Sequence, residues 1–91
     1  MKTFIINLTY KKSGEEADKY LQEHMQFLEK YYKSNNFLLS GRKNPRTGGI
    51  ILCKFESIDK VNLAIKDDPF YTHDIANFDV IEFEQNRGIS I

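Results

Sequence analysis

The centre of the chain, residues 37–55, reads FLLSGRKNPRTGGIILCKF. Phe37–Gly41 and Ile50–Phe55 each begin with a short apolar run, which is typical of β-strands. Asn44–Gly49 lies between them and is rich in proline and glycine, so it predicts a turn. The centre of the chain is therefore predicted to be an antiparallel β-hairpin.

A helix and then a strand are predicted on each side of this hairpin. Upstream, apolar residues at helical spacing predict one helix from Glu15 to Asn35, with Ser13 as its N-cap. Downstream, Ser57 caps a short helix. Asp68-Pro69 interrupts that helix and starts another helical turn. The outermost segments alternate apolar and other residues with the period of a strand, and they span residues 2–10 and 78–83.

The resulting order is βαββαβ, which is the split βαβ pattern of ferredoxin-like folds in the α+β class. We expect a single domain over residues 1–91, with both helices on one face of the sheet. The third strand has Ile50 and Leu52 on one side and Ile51, Cys53 and Phe55 on the other, and the fourth has Phe78 and Val80 opposite Ile81 and Phe83. Both faces of the sheet would therefore be apolar. A sheet that is apolar on both faces with helices on only one predicts a homodimer that packs sheet to sheet.

Composition excludes several functional classes. The chain has 13 Lys plus Arg and 13 Asp plus Glu, so its net charge of zero does not favour nucleic-acid binding or a polybasic membrane anchor. No apolar run approaches the roughly 20 residues of a membrane helix, and the N-terminus lacks the apolar region of a signal peptide. The only cysteine, Cys53, cannot form an internal disulfide or a multi-cysteine metal site. We therefore expect a cytoplasmic protein.

His24 and Asp68 are the candidates for chemistry. His24 lies three residues after Leu21 and four before Leu28, on the apolar side of the first helix. A partly buried imidazole there can serve as a base near neutral pH, or it can be a core histidine with a satisfied hydrogen bond. Asp68 before Pro69 is a natural N-cap, but its carboxylate could also orient a histidine. A His–Asp pair is the minimum set for an oriented general base.

Other polar residues admit a structural and a functional interpretation. Ser40 and Gly41 can form a simple turn, or they can let a ligand approach the end of the second strand. Arg42, Lys43 and Arg46 form a basic cluster that is either solvated or attracts an anionic group to a pocket mouth. The other charged and reactive groups have simpler interpretations: Asp67 as a solvated charge, His73 as a solvated loop residue, and Cys53 as a buried, inert thiol. A metal site built on His24 and His73 would lack a third ligand.

Four motifs occur in a fixed order along the chain. They are LQEHM at 21–25, FLLSG at 37–41, DDPF at 67–70 and FDVIEF at 78–83. In this combination the chain, over about residues 2–84, resembles the YciI-like (YCII-related) family. The resemblance implies a dimeric α/β-barrel with a pocket between helices and sheet, an active-site pair at His24 and Asp68, and a polar pocket position at Ser40.

The family is thought to be enzymatic, and relatives of known role are dehydrochlorinase-type lyases. This chain departs from the family pattern at Arg42, where proline is frequent, and it lacks the glycine often found after Asp-Pro-Phe. We therefore expect a small cytoplasmic enzyme for proton transfer, of lyase or isomerase type, that needs no cofactor. His24 and Asp68 would be catalytic, and Ser40, Gly41 and Arg42 would contact a small-molecule substrate. The alternatives are a non-catalytic ligand-binding or regulatory dimer module and a purely structural dimerisation domain.

Overall fold

The computed structural model describes all 91 residues. Eight elements follow one another along the chain: β1 (Lys2–Tyr10), α1 (Gly14–Asp18), α2 (Leu21–Lys33), β2 (Phe37–Arg42), β3 (Gly48–Phe55), α3 (Ile58–Ile65), α4 (Pro69–Thr72) and β4 (Ala76–Phe83). The longest helix, α2, has 13 residues, and no helix combines the length and apolarity needed to cross a membrane.

The four strands form one sheet in the order β2-β3-β1-β4. Every neighbouring pair is antiparallel, so β1 and β2 run parallel to each other with β3 inserted between them. This is the arrangement that the βαββαβ order predicts, and the predicted hairpin is the β2–β3 pair. The sheet therefore places the end of β2 at one edge, with β3 as its only neighbour.

The core lies between one face of this sheet and the helices. Phe4, Ile6 and Leu8 alternate along β1 and are almost completely buried. The facing residues of β3 continue this layer, because Ile51 pairs with Ile6 and Cys53 pairs with Phe4. The helices contribute apolar side chains to the same cluster: Ala17, Phe27, Leu28, Val61, Ala64 and Ile65.

The first helix is interrupted, which corrects the prediction of one continuous helix. Ser13 caps α1 as predicted, because its hydroxyl accepts from the Glu16 amide at 3.2 Å. Tyr20 then leaves helical geometry (φ −114°, ψ 8°), and α2 starts at Leu21. The Tyr20 ring stacks on His73 at a centroid distance of 4.0 Å. A contact with a residue far along the chain thus accompanies a break that local periodicity does not reveal.

Gly48 and Gly49 belong to β3 and not to the predicted turn. They pair with Thr9 and Leu8 of β1, and Gly49 also pairs with Arg42 of β2. Gly48 has a φ of +153°, and a Cβ atom there would overlap the carbonyl oxygen of Leu8. Strand β3 can extend this far because glycine tolerates both the conformation and the close approach.

The face without helices carries an apolar row that crosses all four strands. Leu39 pairs with Leu52, Leu52 with Ile5, and Ile5 with Ile81. At the two ends of the row, Leu39 and Ile81 are 54% and 53% exposed. The two-sided apolar pattern expected from the sequence is therefore present in the sheet.

Cys53 is completely buried, so we expect it to react slowly in the folded protein. Burial raises the pKa of its thiol to about 12, and the reactive thiolate is therefore scarce at pH 8. A thiol reagent such as dithionitrobenzoate should label the native protein much more slowly than the chain in guanidinium chloride. Equal labelling rates in the two states would contradict this prediction.

Candidate active site

The turn that begins α4 is shaped by Asp68. Its backbone is extended (φ −78°, ψ 125°), and Pro69 occupies the first helical position. The Oδ1 atom of Asp68 accepts a hydrogen bond from the backbone N–H of Phe70 at 2.9 Å. The N-cap role expected for Asp68 is therefore present, and it fixes the carboxylate at the start of a short helix.

The structure also brings His24 to this carboxylate. Nδ1 of His24 lies 2.8 Å from Oδ1 of Asp68, although the two residues are 44 positions apart. The Asp68 side chain is 0% exposed and that of His24 is 12% exposed. Oδ1 of Asp68 thus serves both the cap and the imidazole, so a capping role alone does not describe this residue.

Phe70 constrains the same imidazole from another direction. Its ring stacks on the ring of His24 with centroids 4.1 Å apart and planes 8° apart. One turn therefore supplies both a hydrogen bond in the plane of the imidazole and an apolar surface parallel to it. The sequence reasoning did not assign this role to Phe70, although its position directly after Asp68-Pro69 is a signal that could have indicated it.

A cavity of about 230 Å³ opens beside His24, between α2 and the β2–β3 edge of the sheet. Apolar side chains of α2, the sheet and Phe70 make up most of its wall, and Ser40, Gly41 and Arg42 line the other part. Asp68 does not line it. Since Nδ1 of His24 is held by Asp68, Nε2 is the ring nitrogen that remains for a ligand. The predicted binding residues and His24 thus share one cavity.

Ser40 has a hydrogen-bond partner that the sequence reasoning missed. The hydroxyl oxygens of Tyr32 and Ser40 are 2.6 Å apart, and either group can be the donor. Helical spacing alone favours a packing role for Tyr32 on the first helix. Its position two helical turns after His24 on α2 is the signal that places both side chains toward the same region of the sheet.

The basic cluster of the β2–β3 connection is divided by the structure. Arg42 lines the cavity, whereas the Nζ atom of Lys43 donates to Oγ1 of Thr9 at 3.1 Å. Arg46 donates to Oδ1 of Asp18 at 2.6 Å. Two of the three cations thus bond other parts of the fold, and Arg42 is the one that lines the cavity.

Asp67 and Asp68 are adjacent but have different environments. Asp67 was interpreted as a solvated charge, but its Oδ2 atom accepts from the hydroxyl of Tyr31 and, at 2.9 Å, from Nζ of Lys30. These contacts, that of Tyr31 first, hold the pKa of Asp67 below its usual value. Burial and the same carboxylate raise the pKa of Tyr31. Asp67 therefore ties the end of α3 to α2, beside the His24–Asp68 contact.

His73 and His24 do not meet at a common site. His73 follows α4, is exposed, and stacks on Tyr20 outside the cavity. No group of three or more His, Cys, Asp or Glu side chains is placed to hold a metal ion. The site thus consists of an imidazole with a buried carboxylate behind it, an apolar cavity wall, a paired hydroxyl and a guanidinium.

Comparison with known proteins gives a family and a fold. A family model described as YCII-related domain matches residues 1–84. The fold is similar to that of 5-chloro-2-hydroxyhydroquinone dehydrochlorinase from Burkholderia phenoliruptrix AC1100, solved in complex with 2,5-dihydroxybenzoquinone. The TM-score is 0.79 at 18% identity, and the match covers 92% of this chain and 95% of the dehydrochlorinase chain. No curated protein matches the chain.

Proposed function

This chain belongs to the family of YCII-related domains, and from that premise we propose that it is an enzyme that moves a proton on a small cyclic molecule. His24 is the general acid–base group and Asp68 orients it. The observation that carries the proposal is the 2.8 Å contact between Nδ1 of His24 and Oδ1 of Asp68 beside a cavity. Ser40, Gly41 and Arg42 as substrate contacts, and a cytoplasmic location, belong to the same proposal.

The position of Asp68 behind His24 supports acid–base chemistry. A carboxylate that accepts from Nδ1–H fixes the tautomer in which Nε2 has a free lone pair. Nε2 can then take a proton from a substrate in the cavity, and the negative charge of Asp68 stabilises the resulting imidazolium. Because Phe70 also stacks on the ring, the imidazole needs little reorganisation when a substrate binds.

The cavity and the similar fold together favour an elimination or an isomerisation. A cavity of about 230 Å³ with a mainly apolar wall suits one ring with few substituents. In an elimination, His24 takes a proton from an O–H or C–H bond, the electron pair forms a new π bond, and a leaving group departs with its bonding electrons. In an isomerisation, the same proton returns to another carbon. Neither reaction needs an external oxidant or reductant.

A binding and turnover experiment tests this function. We expect 2,5-dihydroxybenzoquinone, the compound bound to the dehydrochlorinase of similar fold, to shift the imidazole NMR signals of His24 but not those of His73. We further expect chloride release from at least one chlorinated hydroquinone in a panel. Binding without any release would favour the alternative of a non-catalytic ligand-binding module. Absence of binding would contradict both.

The proposal includes a second copy of the chain on the face of the sheet without helices. Leu39, Leu52, Ile5 and Ile81 form an apolar row there, and a copy of the same face is complementary to it. Burying aliphatic side chains of this size contributes roughly 1.5–3 kcal/mol each when burial is complete. Several such residues on each partner favour a homodimer that packs sheet to sheet.

Leu52→Lys should convert this dimer to a monomer, because it places a charge in the middle of the apolar row. Sedimentation equilibrium should give about twice the 10.7 kDa chain mass for the natural protein and the single chain mass for the variant. Leu63→Lys is the matched control, because Leu63 lies on α3 and is 58% exposed. A folded natural protein that sediments as a monomer would rule out the dimer.

A further inference from the structure

Arg42 lines the cavity, and the residue paired with it on β3 is a glycine, which has no side chain. Arg42 is the last residue of β2 and pairs with Gly49, which in turn pairs with Leu8 on the buried side of β1. The register therefore places Arg42 on the helix-bearing face of the sheet. Because Gly49 fills none of the space between Arg42 and Leu8, a ligand can lie against the sheet beneath the guanidinium.

Of the three cations Arg42, Lys43 and Arg46, Arg42 is the one that has no side-chain partner. Lys43 and Arg46 bond Thr9 and Asp18, and Arg46 also lies over the ring of Tyr10 at 5.6 Å. Arg42 takes part in no side-chain hydrogen bond or ion pair in the structure, so its donors are free for a ligand.

Asp18 is the carboxylate to which Arg42 lies close enough for a charge interaction. Its pKa is lowered first by the hydrogen bond from Arg46 and to a smaller extent by the charge of Arg42. Asp18 is bonded to Arg46 and not to Arg42, so Arg42 carries its positive charge at the cavity without a bonded carboxylate.

The lining of the cavity has no charge that would repel an anion. None of its 14 residues is Asp or Glu. The buried carboxylate of Asp68 is separated from the cavity by His24, to which it is bonded. An entering molecule therefore meets Arg42 as the permanent charge and His24 as the group that can gain one.

We propose that this site selects a monoanionic cyclic compound, such as a ring that carries a carboxylate. The planar anion bonds the guanidinium of Arg42, which presents paired N–H donors to a carboxylate. The ring packs on Leu21, Met25 and Leu28 of α2, and its reacting proton faces His24. This inference names the substrate class of the proposed enzyme, and it rests on that proposal only for the last of these contacts.

Benzoate and benzamide test the inference, because they share one ring and differ in charge. In a titration followed by amide NMR signals at low ionic strength, we expect benzoate to bind about tenfold more tightly than benzamide, with shifts at cavity residues. The Arg42→Gln variant should lose this preference, so that the two dissociation constants become similar. Added salt should weaken the binding of benzoate but not that of benzamide.

Two control variants test whether the preference for benzoate depends on Arg42 and not on another group near the cavity. Lys43→Gln removes the same charge from the adjacent residue and should keep most of the tenfold preference, because Lys43 is bonded to Thr9. His24→Gln should also keep the preference. Equal affinities of the natural protein for benzoate and benzamide, no binding of benzoate, or a preference that disappears with His24 or Lys43 instead of Arg42 would each overturn the inference.

The comparison of benzoate and benzamide binding does not depend on whether the protein turns over a substrate. A preference for benzoate that depends on Arg42 would support the anion site even if His24 transferred no proton. Turnover of neutral rings that His24→Ala abolishes and Arg42→Gln leaves unchanged would support the enzyme and overturn the anion site.

Discussion

Replacing His24 with alanine is expected to lower the turnover number by about 100-fold or more, the usual scale of general acid–base catalysis. The imidazole of His24 lines the cavity, contacts the buried carboxylate of Asp68 through Nδ1 and stacks on the ring of Phe70. Alanine removes the proton acceptor. Steady-state kinetics on a substrate found by the chloride-release panel would measure the effect.

Two further variants make this result specific. His73→Ala removes the other histidine, which lies outside the cavity, and should leave turnover unchanged. Asp68→Asn should lower turnover, because asparagine carries no charge to stabilise an imidazolium. The loss should be smaller than for His24→Ala, because the imidazole remains and asparagine is a good N-cap. Retention of full activity by His24→Ala would contradict proton transfer by this residue and leave the ligand-binding module as the better explanation.

Gly48→Ala is expected to lower the free energy of unfolding by about 3 kcal/mol or more. The φ of Gly48 is +153°, which side-chain-bearing residues rarely adopt, and a Cβ atom would overlap the carbonyl oxygen of Leu8. Strain of this kind costs roughly 1–3 kcal/mol, and forcing apart the paired backbones of β1 and β3 adds a similar amount. Denaturation by guanidinium chloride, followed by circular dichroism, would measure the loss.

Gly41→Ala is the matched control on the neighbouring strand. A Cβ atom at Gly41 would have no other atom within 4 Å, so alanine should change the free energy of unfolding by about 1 kcal/mol or less. If Gly48→Ala and Gly41→Ala had equal stability, the close approach of β3 to β1 would not be a constraint on this fold.

Local patterns were sufficient for the order of the elements. The alternation along residues 2–10 and the apolar runs at Phe37–Gly41 and Ile50–Phe55 correspond to strands, and Ser13 and Ser57 cap helices as their positions predicted. These features depend on neighbouring residues, so the sequence exposes them directly. The helix break at Tyr20 does not depend on neighbouring residues alone, because Tyr20 stacks on His73, which belongs to another part of the chain.

The candidate site was predictable in its residues but not in its contacts. His24 and Asp68 were named from their types and positions, Ser40 and Gly41 from the end of a strand, and Arg42 from a basic cluster. The pairing of Tyr32 with Ser40, the stacking of Phe70 on His24 and the use of Lys43 to bond Thr9 were not foreseen. Each of these contacts joins two elements whose distance is set by packing.

By itself, the sequence determined the order of the helices and strands, which of their faces are apolar and which residues can exchange a proton or carry a charge. The tertiary structure alone decided that α4 meets α2, so that a capping aspartate also accepts from an imidazole 44 residues earlier. It also decided that the arginine at the end of β2 lines the cavity without a side-chain partner, while the two basic residues that follow it are bonded elsewhere. The physical reason is that hydrophobic periodicity specifies which side of each element is buried, whereas the distances between elements depend on how all the buried side chains pack together.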